Sequence, residues 1–413
     1  MESYIGKSDF FKGNDPERLV REYGSPLYVY NEDIIRRQMA RVAGVITKYP
    51  YTANYSVKAN TNIHILRLAL AEGLNCDAMS IGEIRLLQKA GFPNERIFFV
   101  PNNVSEKELR VAIEEGILTS LDSLSQLELY GTLNPGGECA VRLNPGIGAG
   151  HSEKVVTGGK RTKFGIAAEE LDGIFGLAAR FGLRIVGINQ HIGSLFMDPQ
   201  PYLDAVSSLL RLAVRFPGLR FLDFGGGYGI PYHKLEGEAE YDMAAFRERL
   251  LPILDRFVSE YGDAPLFKSE PGRYCVAEGG VILGRVHALK QNAGRKYAGT
   301  DIGMNVLVRP SMYDSWHDIE VLRGGRLLPR ADMEEVTVTG NICESGDLLA
   351  KDRLLPRLRR GDLLCVLDSG AYGYSMCSSY NSRPRPAELM IGRDGNVRQI
   401  RRRETIEDLM AYM

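Results

Sequence analysis

Six cysteines are all that the 413 residues carry, and no two of them form a C-x-x-C pair. Cys76, Cys139, Cys275, Cys343, Cys365 and Cys377 are scattered, which argues against a disulfide framework or a zinc site. Reduced thiols in a cytoplasmic protein are the simpler reading. Neither sign of charge is in excess: 51 Lys and Arg stand against 52 Asp and Glu, a formal −1. Such a balance supplies neither the basic field that nucleic acid needs nor attraction to a membrane surface. No window approaches the roughly 18 apolar residues of a membrane span. Met1 to Arg21 is charged and lacks a continuous apolar core, so it does not read as a secretory signal. Repeats and low-complexity linkers are missing too. What remains is a soluble globular protein, too long for one ordinary core and expected to form two domains.

The first half alternates strand-like and helix-like stretches. Candidate strands begin near Tyr51, Leu74, Ile97, Leu118, Glu138, Leu183, Leu219 and Leu266. Between the early ones, Ile63 to Ala71, Gly82 to Ala90 and Ser105 to Glu115 repeat apolar residues at helical spacing. Eight such units in about 250 residues suit a (β/α)8 barrel, with a doubly wound open sheet as the rival. After about Val281 the helices fade. Val281 to Leu289, Glu335 to Thr339, Leu363 to Leu367, Ala387 to Ile391 and Val397 to Arg401 read as strands of an all-β domain. The expected division is a barrel over 32–281 and a β domain from 1–31 plus 282–413. Leu27 to Tyr30 would return to that second domain, and the tail from Thr405 reads as helical.

The unusual residues fall where a barrel would gather them, at the C-terminal ends of strands. Lys58 follows the first strand, in Tyr55-Ser56-Val57-Lys58-Ala59-Asn60. A partly desolvated amine there can lose its proton and attack a carbonyl. Gly225-Gly226-Gly227-Tyr228-Gly229 follows an apolar strand and lets backbone N–H groups approach a phosphate. A dinucleotide site would want an acidic ribose ligand at the end of a following strand, yet Ile230 to Tyr241 is loop-like. Glu270-Pro271-Gly272-Arg273 puts a carboxylate at a strand end, suited to a pyridine nitrogen or simply to pairing with Arg273. His191 could lie flat on a ring or be an ordinary core histidine. Further on stand Arg309-Pro310-Ser311-Met312-Tyr313 with His317, then Cys343-Glu344-Ser345-Gly346-Asp347, then Ala371-Tyr372-Gly373-Tyr374. Taken singly, Cys343 reads as an inert buried thiol, Arg309 as a surface cation and Tyr372 as core packing.

As an ordered set these motifs resemble the alanine-racemase-like, fold-III pyridoxal-phosphate decarboxylases, and within them the diaminopimelate decarboxylases. The resemblance runs from Tyr23 to Glu388. It adds Asn144-Pro145, Lys163-Phe164-Gly165-Ile166 and Arg383-Pro384-Arg385-Pro386 to the motifs above. It implies pyridoxal 5'-phosphate joined to Lys58 as a Schiff base, His191 stacked on the ring and Glu270 facing the ring nitrogen. Ser194, Gly227, the backbone of Gly272 and Arg273, and the Tyr372 hydroxyl would complete the cofactor site. Substrate would meet Arg273, Arg309, Tyr313, Glu344 and Tyr372. Cys343 would donate a proton, reaching with Glu344 from the partner of a homodimer. Two arginines suit a carboxylate at the remote end of the substrate and Glu344 an ammonium there, which together describe meso-2,6-diaminopimelate. Decarboxylation to L-lysine is the expected reaction, as a step of lysine biosynthesis. Another carboxylated diamine or basic amino acid as substrate, or an amino-acid racemase, is the alternative.

Overall fold

The computed structural model describes residues 3–146, 157–159 and 162–413, which form two compact units. One comprises Gln38–Ile230 and Tyr241–Cys275, the other Met1–Arg37, Pro231–Glu240 and Val276–Met413. The first strand, β1 (Leu27–Asn31), belongs to the second unit.

The next strands build the barrel unit: β2 (Tyr51–Ser56), β3 (Asn75–Ala78), β4 (Ile97–Phe99), β5 (Leu118–Leu121) and β6 (Glu138–Asn144). After the two-residue β7 (Ile166–Ala167) come β8 (Arg184–Asn189), β9 (Phe221–Asp223) and β10 (Leu266–Ser269). All pair in parallel, and β10 returns to β2 with Phe267 opposite Tyr51. That pairing, with β5 against β6, closes an eight-stranded barrel and rules out the open sheet. β7 is a short appendage on β6.

Local sequence explains the βα units. In Ile81–Ala90 the buried residues are Ile84, Leu87 and Ala90, one stripe of a helix facing the strands. Ser80 Oγ caps its first turn by accepting from the Glu83 N–H, and Gly91 closes it in the left-handed region at φ +107°. Glu106–Glu114 begins with a reciprocal capping box between Ser105 and Glu108. An apolar cluster of Phe98, Val100, Ala140, Val186 and Phe221 packs the barrel unit, with Phe98 and Phe221 edge to face at 5.3 Å. Toward the C-terminal ends of the strands the buried residues turn polar: Asn54, Asp77, Asn189 and Asp223.

The second unit holds β11 (Gly280–Asn292), β12 (Arg295–Thr300), β13 (Ile319–Arg323), β14 (Arg326–Leu327) and β15 (Met333–Thr339). β16 (Leu348–Pro356), β17 (Leu363–Val366), β18 (Ala387–Ile391) and β19 (Val397–Arg401) complete a ten-stranded mixed sheet. Its main order is β14-β13-β17-β11-β1-β18-β19, with β12 pairing β11 and leading to β15 and β16. β1 sits inside this sheet, antiparallel to β11 and parallel to β18. Leu27, Val29, Val281, Leu283, Leu363 and Leu389 form its core with Phe10. Ile406–Met410 is a short helix capped by Thr405. Among the described residues no helix is long and apolar enough to cross a membrane.

Candidate active site

Four strand ends of the barrel unit carry the residues expected to do chemistry. β2 runs into a single 3-10 turn, Val57–Ala59, which holds Lys58 half-buried. His191 stands just beyond β8, the glycine loop just beyond β9, and Glu270 directly after β10. Only glycine fits the tightest points of the loop. A Cβ on Gly226 would lie 2.0 Å from the Glu270 carbonyl oxygen, and one on Gly227, at φ +124°, would lie 2.2 Å from the Phe196 ring. Close packing also joins the other ends. Gly272 is pressed against the lysine turn, its missing Cβ 3.0 Å from those of Ser56 and Ala59. The Glu270 N–H donates to the Gly225 carbonyl at 2.9 Å. Arg273, buried, donates from Nε and Nη2 to Ser194 Oγ at 3.3 and 3.1 Å.

His191 is wired into the same loop. The Gly226 N–H donates to its Nδ1 at 3.2 Å, which leaves the ring proton on Nε2. Burial, then the charges of Lys58 and Arg142, hold this imidazole well below its ordinary pKa, so the ring is neutral. Glu270 is pushed the other way. Burial raises its carboxyl, while Lys58, Arg142 and Lys268 pull it down. Its Oε1 is enclosed and has no hydrogen-bond partner. Asp77 and Asp223 are likewise raised by burial and then by Glu270. Three carboxyls therefore face three cations in one low-dielectric site. Perturbed groups clustered this way mark a place built for chemistry.

The pieces fit pyridoxal phosphate. Oε1 of Glu270 is a buried acceptor awaiting a donor such as a protonated ring nitrogen. A neutral imidazole can lie on an aromatic ring, and the glycine loop with Arg273 supplies donors for a phosphate. Arg273 hydrogen-bonds Ser194, while Glu270 Oε1 is left without a partner, which disfavours the simpler reading of a Glu270–Arg273 pair.

In the second unit two single-residue readings are reversed. Arg309 opens the short helix Arg309–Tyr313 and is only 1% exposed. Its Nη1 donates to His317 Nε2 at 2.7 Å and its Nη2 to Ser315 Oγ at 3.3 Å, over the Tyr232 ring at 4.8 Å. Acceptors and a π face let the cation go inside. Tyr313, at the other end of that helix, is half-buried. Cys343 is exposed, not buried, because it lies on the loop after β15. Asn381 grips it twice, Nδ2 donating to Sγ at 3.3 Å and Oδ1 accepting from its N–H at 3.1 Å. The neighbouring Glu344, also exposed, accepts from the Tyr380 hydroxyl. Tyr372 is half-buried with a left-handed backbone, φ +56°.

The structure thus gathers Lys58, His191, Ser194, Gly227, Glu270, Gly272 and Arg273 in the barrel unit. Arg309 with His317, and Cys343 with Glu344, form separate clusters in the second unit. Sequence reasoning missed Asp77, Arg142, Asp223 and Lys268. The signal available was a charged residue inside a short apolar strand, as in Phe221-Leu222-Asp223.

Comparison with known proteins agrees with this geometry. Residues 32–277 match the family described as pyridoxal-dependent decarboxylase, pyridoxal binding domain. The diaminopimelate decarboxylase of Methanothermobacter thermautotrophicus is 42% identical over 407 residues, covering 96% of this chain and 94% of that one. That of Escherichia coli K12 is 36% identical over 408 residues, 95% of each. A crystal structure of the Helicobacter pylori diaminopimelate decarboxylase complexed with L-lysine superposes with a TM-score of 0.87 at 32% identity, covering 96% of this chain and 98% of that one. With a barrel mouth built for the cofactor and relatives that match along both units, the chain belongs to the pyridoxal-dependent decarboxylase family.

Proposed function

We propose that the protein is a pyridoxal-phosphate-dependent carboxy-lyase that converts meso-2,6-diaminopimelate to L-lysine and CO2, a step of lysine biosynthesis in the cytoplasm. The observation that carries this reading is the 42% identity to a diaminopimelate decarboxylase over 96% of the chain. That span takes in the second unit, where most of the residues expected to choose the substrate lie.

Pyridoxal phosphate, when bound, supplies an electron sink for the pair that CO2 leaves on the α-carbon. Lys58 would provide the amine that holds the cofactor covalently. Glu270, a buried carboxyl with a vacant acceptor, keeps a proton on the ring nitrogen. His191 offers a flat face and, being neutral, adds no competing charge. Ser194, Gly227, Gly272, Arg273 and the Tyr372 hydroxyl bind the phosphate. Arg273, Arg309 and Tyr313 take up a carboxylate of the substrate, and Glu344 its distal ammonium. The planar guanidinium groups of Arg273 and Arg309 are shaped to bind a carboxylate, which favours a substrate with one at its far end. Cys343, a free thiol, delivers the proton to the α-carbon. Exposure of Cys343 and Glu344 supports their use by a second copy, in a homodimer that shares its sites.

The test is mass spectrometry of CO2 and amine products from a panel of diamino acids, with Lys58→Ala as blank. Lysine from diaminopimelate is the expected result. Release of CO2 from ornithine, arginine or lysine but none from diaminopimelate would move the assignment to another decarboxylase.

A further inference from the structure

Asp223 is fully buried at the end of β9, and each of its carboxylate oxygens has a defined partner. Oδ1 accepts from the Gly225 N–H at 2.9 Å, and Oδ2 accepts from Asn54 Nδ2 at 3.1 Å. Asn54 lies on β2, the strand whose end carries Lys58, and it too is fully buried. Its Oδ1 has no partner, so the amide is oriented by the contact to Asp223 alone. β9 and β2 are not neighbours, since β10 runs between them. The carboxylate therefore ties two elements that the sheet's own hydrogen bonds do not join directly. Gly225, at φ +74°, is the first residue of the loop, and a Cβ there would strike the Gln190 carbonyl oxygen at 2.3 Å. The loop consequently has little room to settle elsewhere while retaining this bond.

We infer that Asp223 is a positioning residue: through Asn54 and Gly225 it sets the location of the phosphate-binding loop relative to the strand that presents the Lys58 amine. This rests on the proposed cofactor site and extends it. A ligand held at both ends, by an imine and by a phosphate, is sensitive to the span between the two anchors. One held only at the aldehyde end is not. Burial keeps the pair from exchanging partners with solvent, which is what a fixed span requires.

The experiment compares pyridoxal phosphate with pyridoxal, which lacks the phosphate. Holoenzyme is resolved by dialysis, titrated with each compound, and occupancy is read as borohydride-fixed mass on Lys58. In Asp223→Ala both oxygens are removed, so Gly225 N–H and Asn54 Nδ2 each lose their acceptor. We expect pyridoxal phosphate to bind at least about tenfold more weakly, with pyridoxal unchanged within about twofold. The reciprocal variant Asn54→Asp/Asp223→Asn restores both contacts, with the amide at 223 donating to the new carboxylate and still accepting from Gly225. It is expected to recover wild-type affinity within about threefold. Unchanged affinity in Asp223→Ala, equal losses for both compounds, or no recovery in the double variant each overturn the inference. If the wild type itself forms no adduct with either compound, the cofactor reading has failed instead.

Discussion

Arg309 Nη1 donates to His317 Nε2 across 2.7 Å, and His317 Nδ1 donates in turn to the Leu367 carbonyl at 2.8 Å. Arginine has no acceptor, so Nε2 must carry the lone pair, and the imidazole is locked in one tautomer. Removing it takes the acceptor from Nη1 of a buried guanidinium. His317→Leu is expected to lower unfolding stability by about 2–3 kcal/mol, whereas His317→Gln, which can accept and donate in turn, should lose about half as much. Urea midpoints of the two variants decide it; equal losses would mean that the Arg309 contact is not what the histidine contributes.

Cys343 is exposed, and its Sγ accepts from Asn381. Cys343→Ala should therefore keep its full complement of covalently bound cofactor while kcat falls by roughly 10²–10⁴, the usual range for loss of a general acid. Visible absorbance and turnover are measured on the same sample. Undiminished turnover would take the proton-donor role away from this thiol.

His191 makes the fold acid-sensitive. The unfolded chain takes up a proton on this imidazole near pH 6.5, while the folded ring, held well below that by burial, does not. The unfolded state then binds more protons, and stability falls as pH drops below about 6.5. His191→Gln removes this contribution. Its unfolding free energy should decline less between pH 7 and pH 5, by at most roughly 1.4 kcal/mol per pH unit. Parallel slopes for variant and wild type would refute the neutral assignment.

The opposite slope comes from Asp368. Lys234 Nζ lies 2.7 Å from Asp368 and 2.8 Å from Glu278, so one buried ammonium serves two carboxylates. Burial pushes Asp368 up to about 7, against the pull of Lys234. Between about pH 4 and that value the folded state keeps a proton that the unfolded chain has lost, so stability falls as pH rises. Asp368→Asn is expected to flatten that part of the profile, measured by urea unfolding at several pH values, even if its overall stability shifts.

Much of this was legible in the chain itself, and the failures have physical causes. The expected barrel starts at Tyr51, Ile97, Leu118, Glu138 and Leu266 coincide with observed strands, because each βα unit repeats its own apolar pattern. β12, β13, β14 and β16 escaped notice. β16 pairs with β15 through register shifts, and β14 has only two residues, so neither displays a clean alternation. Burial of single polar residues was the weakest point. Arg309 and Cys343 exchanged places because their surroundings depend on His317, Ser315 and Asn381, contacts that no periodicity announces. Asp223 and Lys268 stand opposite each other on adjacent strands, a pairing that the register reveals and the sequence alone does not.

β1 is an early-made ribbon whose flanks arrive late. Leu27 waits for Leu283 on one side and Ala387 on the other. On the ribosome, this apolar stretch stays without its parallel neighbour until residue 391 has emerged, so the sheet cannot be completed before then. A nascent chain must therefore shield an adhesive edge until β18 emerges, which makes termination before that strand a hazard for aggregation as well as a loss of enzyme.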